Sequence, residues 1–348
     1  MSTDSLKFIH TSDWHLGAPV DWRPAEIKEG PWISLFRNYR KKAIEDVVGK
    51  ATSNEVAAVL VAGDVIDIYG YEHVTKNIML FLEQKVIKPL RDHGIKLIFT
   101  IGTHDQNSVG ALQLLLKLKQ TFPSDVEILL PKELTSQFGG SMFKNSTYFG
   151  SVAISCDPPS EGCPWIQFRH KGNSLSTGNL PLYRAFGDKH ILSFKTNRAF
   201  FPGTPFARSS GSDNQFTDVG PRYCLLYEVG NYQPDPIKLK VPEVAVLKKV
   251  PFQDRWSLVY ARDHYKDKWV SEALLEGKPE EILPGIMARY PDITFATFVI
   301  DKRDEMSCSS ILLRQLWHLV GGKERVITGS RDGIITVMLK ELLRNGGI

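Results

Sequence analysis

The sequence predicts an α/β fold: a two-sheet β-sandwich flanked by helices, with a smaller C-terminal α/β capping domain. Three observations point there. Up to about Val126, apolar strands alternate with helix-patterned segments across short connections. Beyond Val126, short strands separated by turns rich in Gly, Pro, Ser and Asn replace that alternation. Around Asn231–Val250 a run with Pro234, Pro236, Pro242 and, just after it, Pro251 reads as a linker before a compact unit. The expected domains are therefore residues 1–245 and 246–348.

The first element is the apolar strand Leu6–Ile9, which runs into a polar loop carrying Asp13 and His15. Next, Ile33–Ala51 is patterned as an amphipathic helix, with Ile33, Phe36, Ile44, Val47 and Val48 on one side. Arg37, Arg40, Lys41 and Lys42 cluster on or near the other side, as a solvated face would. Val56–Ala62 is continuously apolar, as a strand covered on both faces must be, and it ends at Gly63-Asp64. A helix over about Glu72–Asp92 leads to another buried strand, Ile95–Ile101, which ends at Gly102-Thr103-His104-Asp105. The sheet-dominated part takes in Val126–Leu130, Tyr148–Ser155, Trp165–Arg169, Ile191–Phe194 and Arg222–Val229. In the last unit, Trp256–Tyr260 and Phe295–Ile300 read as strands, Ser309–Val320 as a core helix, and Ile334–Arg344 as the closing segment.

Composition excludes several classes. With 42% apolar and 24% charged residues the chain is an ordinary globular protein, and a net charge of +4 (43 basic, 39 acidic) confines any nucleic-acid footprint to a local patch. Cys156, Cys163, Cys224 and Cys308 form no C-x-x-C pair, so neither a zinc ribbon nor a disulfide framework is indicated. The polar start gives way at once to a strand, and no apolar run approaches the roughly 20 residues of a membrane helix. A cytoplasmic protein with no membrane partner is the expectation.

The chemistry lies in residues that each follow an apolar segment: Asp13 and His15, Asp64, His104, His170, Asp188 and His190. They are too far apart in sequence for a local explanation, yet strand ends of one sheet can bring them together. Carboxylates and imidazoles without thiolates suit a pair of divalent transition metals, which can clamp a phosphate between them.

Taken in order, these motifs resemble those of the calcineurin-like metallophosphoesterases: D-x-H, G-D, G-N-H-D/E, H, then G-H-x-H. Within that family the chain looks most like the SbcD-type nuclease subunit of double-strand-break repair complexes. The details are Ser12-Asp13-Trp14-His15-Leu16-Gly17, the stretch Ala62–Asp67, and Phe201-Pro-Gly-Thr-Pro205. The resemblance implies that Asp13, His15, Asp64 and His190 hold a first metal, with Asp64 bridging to a second that takes His170 and Asp188. It implies that His104 sits over the phosphate as a catalytic group. Thr103 stands where the family has Asn, and Asp188 where it has His. Both departures fall on the second metal, and the extra carboxylate favours an oxygen-preferring ion such as manganese.

Between residues 165 and 210, Arg169, Lys171, Arg184, Lys189, Lys195, Arg198 and Arg208 stand against the single acid Asp188. Such a stretch is either ordinary solvated surface or a DNA-binding patch, and Arg169, Lys189, Lys195 and Arg198 are the candidate substrate contacts. The resemblance implies a DNA nuclease acting as a homodimer with an SbcC-like SMC-type ATPase. The alternatives are a non-catalytic DNA-binding or scaffolding subunit with a degenerate second metal site, and a phosphoesterase for a small nucleotide or phosphoprotein.

Overall fold

The computed structural model describes residues 6–18, 31–68, 72–135, 143–160, 162–171, 180–195, 198–206 and 220–249, and beyond them chiefly strands of the C-terminal unit. The chain divides into two compact units, the second beginning in the main at Val241.

The first unit opens with β1 (Lys7–Thr11), helix α1 (Pro31–Ser53) and β2 (Ala58–Ala62). A long helical stretch follows: α2 (Glu72–Phe81), a π-helical segment (Leu82–Ile87) and α3 (Lys88–Asp92). Next come β3 (Lys96–Thr100), the short helix α4 (Thr103–Asn107), α5 (Val109–Thr121), β4 (Val126–Leu129) and α6 (Lys132–Thr135). The remainder is strands: β5 (Ser146–Phe149), β6 (Val152–Ser155), β7 (Trp165–Arg169), β8 (Tyr183–Phe186), β9 (Ser193–Lys195), β10 (Ala199–Phe201), β11 (Tyr223–Glu228) and β12 (Asp235–Lys238).

These strands form two mixed six-stranded sheets, ordered β12-β11-β1-β2-β3-β4 and β5-β6-β7-β8-β10-β9. In the first, β1 to β4 run parallel and β11 closes antiparallel on β1. Parallel pairing requires crossovers, which the helices provide, and it places the C-terminal ends of β1, β2 and β3 side by side. Alternation along the strands then decides what is buried where. Phe8, Ala58, Leu60, Ala62 and Ile98 meet Ile154, Ile166, Phe168, Ala185 and Phe200 of the second sheet in one core cluster. Tyr183 stacks on Tyr227 (centroids 4.2 Å apart) and on Phe200 (4.9 Å) within it. The fold is thus the two-sheet sandwich with flanking helices that the sequence predicts.

Three expectations are corrected. The helix over 72–92 is not uniform, since a π segment interrupts it at Leu82–Ile87. Residues 103–107 form a helical turn, not an open loop: Asp105 caps it by accepting from Gly102 N (2.9 Å), which reverses the chain within a few residues. The Pro-rich stretch is no free linker, because β12 and β13 (Glu243–Lys249) occupy most of it. Pro236 is tolerated there because β12 is an edge strand.

The second unit holds β13, β14 (Arg255–Asp263), β15 (Lys268–Ser271), β16 (Leu275–Glu276), β17 (Ile293–Val299), β18 (Val326–Thr328) and β19 (Ile334–Met338). They form a sheet ordered β15-β14-β13-β17-β19-β18, with β16 paired to β14. The expected helix Ser309–Val320 lies outside the described residues. Among the described residues no helix is long and apolar enough to cross a membrane.

Candidate metal centre

The loops after β1 and β2 are zipped together beyond the sheet. Asp13 N donates to Gly63 O (3.0 Å), His15 N to Asp64 O (2.8 Å), Leu16 N to Val65 O (3.0 Å) and Asp67 N back to Leu16 O (2.9 Å). This ladder forces a left-handed backbone at Asp13 (φ 52°), His15 (φ 43°) and Asp64 (φ 49°), and Asp188 shares it (φ 65°). Non-glycine residues in that region cost on the order of 1–3 kcal/mol each and persist where the surroundings over-determine them. Four of the expected site residues carry this strain.

The side chains converge. The nitrogens His15 Nε2 and His190 Nε2 are 3.3 Å apart. His170 Nε2 lies 3.4 Å from Asp64 Oδ2 and 3.7 Å from Asp188 Oδ1. His15 Nε2 is 3.9 Å from Asp64 Oδ2, and His104 N donates to Asp64 Oδ1 at 2.8 Å. Two overlapping donor groups result: Asp13, His15 and His190, and Asp13, Asp64 and His170. His104 groups with His15 and Asp64. Asp13, His15, Asp64 and His170 are buried, while the Asp188 carboxylate is half exposed.

The hydrogen bonds fix which nitrogens remain for ligation. His170 Nδ1 donates to Ala62 O (2.9 Å), so its Nε2 carries a lone pair facing two carboxylates. His15 Nδ1 is engaged by Asp67 Oδ2 (3.2 Å), which leaves its Nε2 facing that of His190. Lone pairs aimed at one another and at carboxylates repel unless a cation lies among them. Buried Asp13 Oδ2 and His170 Nε2 have no hydrogen-bond partner, although buried polar atoms nearly always find one. The donor set therefore fits divalent cations on both sides of Asp64. Without a cation, burial and then the Asp64 charge push the Asp13 carboxyl well above the usual carboxylate range.

Three residues that sequence reasoning left out of the site organise it. Asp67 touches both His15 and His104 Nδ1 (3.3 Å). Burial alone would raise its pKa, but hydrogen bonds from His104 and His15 outweigh burial and hold the carboxyl well below its ordinary range. Its position three residues after Asp64 is a signal the sequence does carry. Arg40 and Arg222 carry no such signal. Arg40 Nη1 donates to His15 O (2.8 Å) and Arg222 Nη1 to His190 O (3.0 Å), so a buried guanidinium holds the backbone of each facing histidine. The solvated face expected for Arg40 is corrected here: the side chain is 3% exposed.

Asp105 ties the β2 and β3 ends together, accepting from Val65 N (3.2 Å), Ile66 N (2.9 Å) and Gly102 N. Burial pushes it up to about 7 despite those donors. Glycine is required nearby for space: a Cβ on Gly102 would run into the Asp64 carboxylate, and one on Gly187 into Ala62 O.

The four candidate substrate contacts do not form one surface at the site. Arg169 is committed to structure, with Nε donating to Cys156 O (2.6 Å) and its other nitrogens paired to Asp157 and Glu133. Lys189, next to Asp188, packs its ammonium over the Phe201 ring (5.1 Å). Lys195 and Arg198 flank the turn between β9 and β10, and Ala199 pairs with Arg184 at the start of β8. They therefore lie at the opposite end of β8 from Asp188, about 13 Å away at strand spacing. Arg184 is buried against Gln167 (2.7 Å), and Arg208 lies outside the described residues.

Carboxylates and imidazoles gathered at strand ends of two sheets, with the ligand atoms of each group within 4.8 Å of one another, suit divalent cations that could clamp a phosphate. The chain matches the calcineurin-like phosphoesterases over residues 6–200 and belongs to that family. The family uses divalent metals. No curated protein matches the chain. Among solved structures, that of TT1561 of Thermus thermophilus is similar at 9% identity and a TM-score of 0.38, over 67% of this chain and 99% of that one.

Proposed function

We propose that this phosphoesterase is a DNA nuclease, an SbcD-like subunit hydrolysing phosphodiester bonds with two divalent cations, manganese being the best match. The observation that carries the reading is the pair of donor groups sharing Asp13 around Asp64, with His104 held beside them. Asp13, His15, Asp64 and His190 would hold the first ion, and Asp64, His170 and Asp188 the second. Bound there, divalent ions supply Lewis-acid charge for a phosphate and make water a better nucleophile. His104, oriented through Nδ1 by Asp67, would stabilise charge developing on the phosphate and return a proton to the leaving oxygen. The order and wording of the sequence motifs support DNA as substrate. By the same resemblance the chain would act as a homodimer with an SbcC-like SMC-type ATPase.

Nuclease assays with manganese on linear, circular and single-stranded DNA, beside His104→Ala, test this. We expect DNA cleavage by the natural chain, lost in the variant while its metal content is kept. A cyclic nucleotide hydrolysed faster than any DNA would sink the nuclease reading. One observation favours a second reading, a DNA-binding subunit without activity: Lys171 Nζ sits 3.7 Å from the half-exposed Asp188 Oδ1 and competes with a cation there. Its signature would be a filled first site, an empty second site and no hydrolysis in manganese.

A further inference from the structure

The register of the second sheet sets Lys171 beside Asp188. Strands β7 and β8 run parallel with Arg169 opposite Phe186, so two residues further on Lys171 stands opposite Asp188. The backbone there is held in place: Gly187 N donates to His170 O (3.0 Å) and Asp188 N to Asp13 Oδ1 (3.2 Å). Asp188 Oδ1 then lies 3.7 Å from two nitrogens, Nε2 of His170 and Nζ of Lys171. The oxygen that would close the second donor set is thus already faced by an ammonium.

Fold stability gives little reason for this pair. Both side chains are more than half exposed, 51% for Asp188 and 59% for Lys171, and an ion pair of that kind contributes little. Substrate charge gives a better reason. Asp13, Asp64 and Asp188 all face the cation positions, and each lowers the positive charge that an entering phosphate meets. Asp13 and Asp64 are buried, so of the three Asp188 is the carboxylate that an anion passes first. Lys171 offsets that charge at the exposed side, on a flexible stem that carries three donors.

We propose that Lys171 is a substrate-binding residue, its ammonium holding an unesterified oxygen of the phosphate once a cation takes Asp188 Oδ1. In the structure the ammonium and the carboxylate pair with each other. With a cation on the carboxylate, the ammonium is repelled from that oxygen and attracted to the anion docking beside it. A compact, mobile point charge suits a phosphate oxygen. This role needs two cations at the centre, as proposed above, but not DNA as the substrate, because every phosphoester brings the same oxygens.

Manganese is titrated by calorimetry into the full natural chain, Lys171→Met and Lys171→Arg. Inorganic phosphate, the probe for substrate, is then titrated into each manganese-saturated protein, with chloride at matched ionic strength as control. We expect two ions per chain in all three, the weaker one bound equally or more tightly in Lys171→Met, where the ammonium no longer competes for Asp188 Oδ1. Phosphate affinity should fall at least about tenfold in Lys171→Met and stay near the natural value in Lys171→Arg, at an unchanged Tm. KM for a small phosphodiester should rise in parallel, with kcat changed less. A lysine that only braces Asp188 would instead weaken the second ion and leave phosphate binding to the loaded protein unchanged, and that result overturns the proposal. So does a Lys171→Met protein that gains the second ion and phosphate affinity together, since Lys171 would then be a block. Two ions with equal phosphate affinity in natural chain and Lys171→Met overturn this role alone; a single ion at saturating manganese overturns the two-cation reading with it.

Discussion

At the scale of single residues, the site is governed by which atom each histidine leaves exposed to its neighbours. Asp67 sets this for His15 and His104 together, so Asp67→Asn removes one charge while keeping the shape. Residues that orient metal ligands are worth about 10–100-fold in affinity, and we expect a loss of that size for the first cation in metal titrations of Asp67→Asn. His10 behaves differently. It is fully buried in the sandwich with Nδ1 on the Tyr183 hydroxyl (2.8 Å), and burial lowers its pKa from 6.5 to about 3. The folded protein keeps His10 neutral, while the unfolded chain takes up a proton below about pH 6.5. Unfolding therefore binds a proton in the window between those values, and stability falls as pH drops through it, at up to about 1.4 kcal/mol per pH unit. His10→Phe should be less stable at pH 7, because it strands the Tyr183 hydroxyl, yet show a shallower slope of unfolding free energy between pH 6.5 and 3. An unchanged slope would exclude His10 as the group responsible.

At the scale of elements, strand ends hold the site only because backbone pieces approach closely. Gly187 abuts Ala62 O across the two sheets, so Gly187→Ala must push β8 off β2. We expect a stability loss of about 1–3 kcal/mol or more by denaturant titration, together with loss of cation binding. Arg222 reaches from the start of β11 to the carbonyl of His190. Removing it leaves that carbonyl only the longer bonds from Thr204 N (3.3 Å) and Thr204 Oγ1 (3.5 Å), and Arg222→Ala should weaken the first cation more than the second. Lys195 and Arg198 belong to the other end of the same sheet. Charge removal at both should leave hydrolysis of a small phosphodiester unchanged, and any effect on long DNA should appear only as a smaller salt dependence of binding.

For the whole molecule, the two candidate cation positions are unequal. The first is met by buried Asp13, His15 and Asp64 and a part-buried His190, with both histidines clamped through their carbonyls; the second is met by buried Asp64 and His170 but ends on Asp188, half exposed and shadowed by Lys171. Metal titration followed by activity should therefore show one tight and one weak dependence, with Asp188→Ala inactive or rescued only by excess manganese. Equal affinity at both positions would remove the asymmetry. The second unit forms its own sheet.

The sequence by itself determined the alternation that gives a parallel sheet, the continuous apolar runs at β2 and β3, and the places where polar residues interrupt them. Asp13, His15, Asp64, His104 and His170 were legible because each follows an apolar strand, and parallel strands end at one edge; Asp188 and His190 were legible only from the order of the motifs, since the sequence predicts a strand after them and not β8 before them. Strand periodicity and ligand chemistry are local properties, and local properties survive in a one-dimensional text. The tertiary structure alone decided what joins distant segments. Arg40 reads as one more cation on a helix and proves to be buried on a histidine carbonyl. Arg222 precedes a strand and ends at His190. Arg169 looks like a substrate contact and is taken by Asp157 and Glu133. Lys195 lies five residues from His190 in sequence, yet β9 runs away from the site and carries it to the far end of the sheet. A side chain's partner depends on which strands pair and in what register, and register is set by the whole core packing at once.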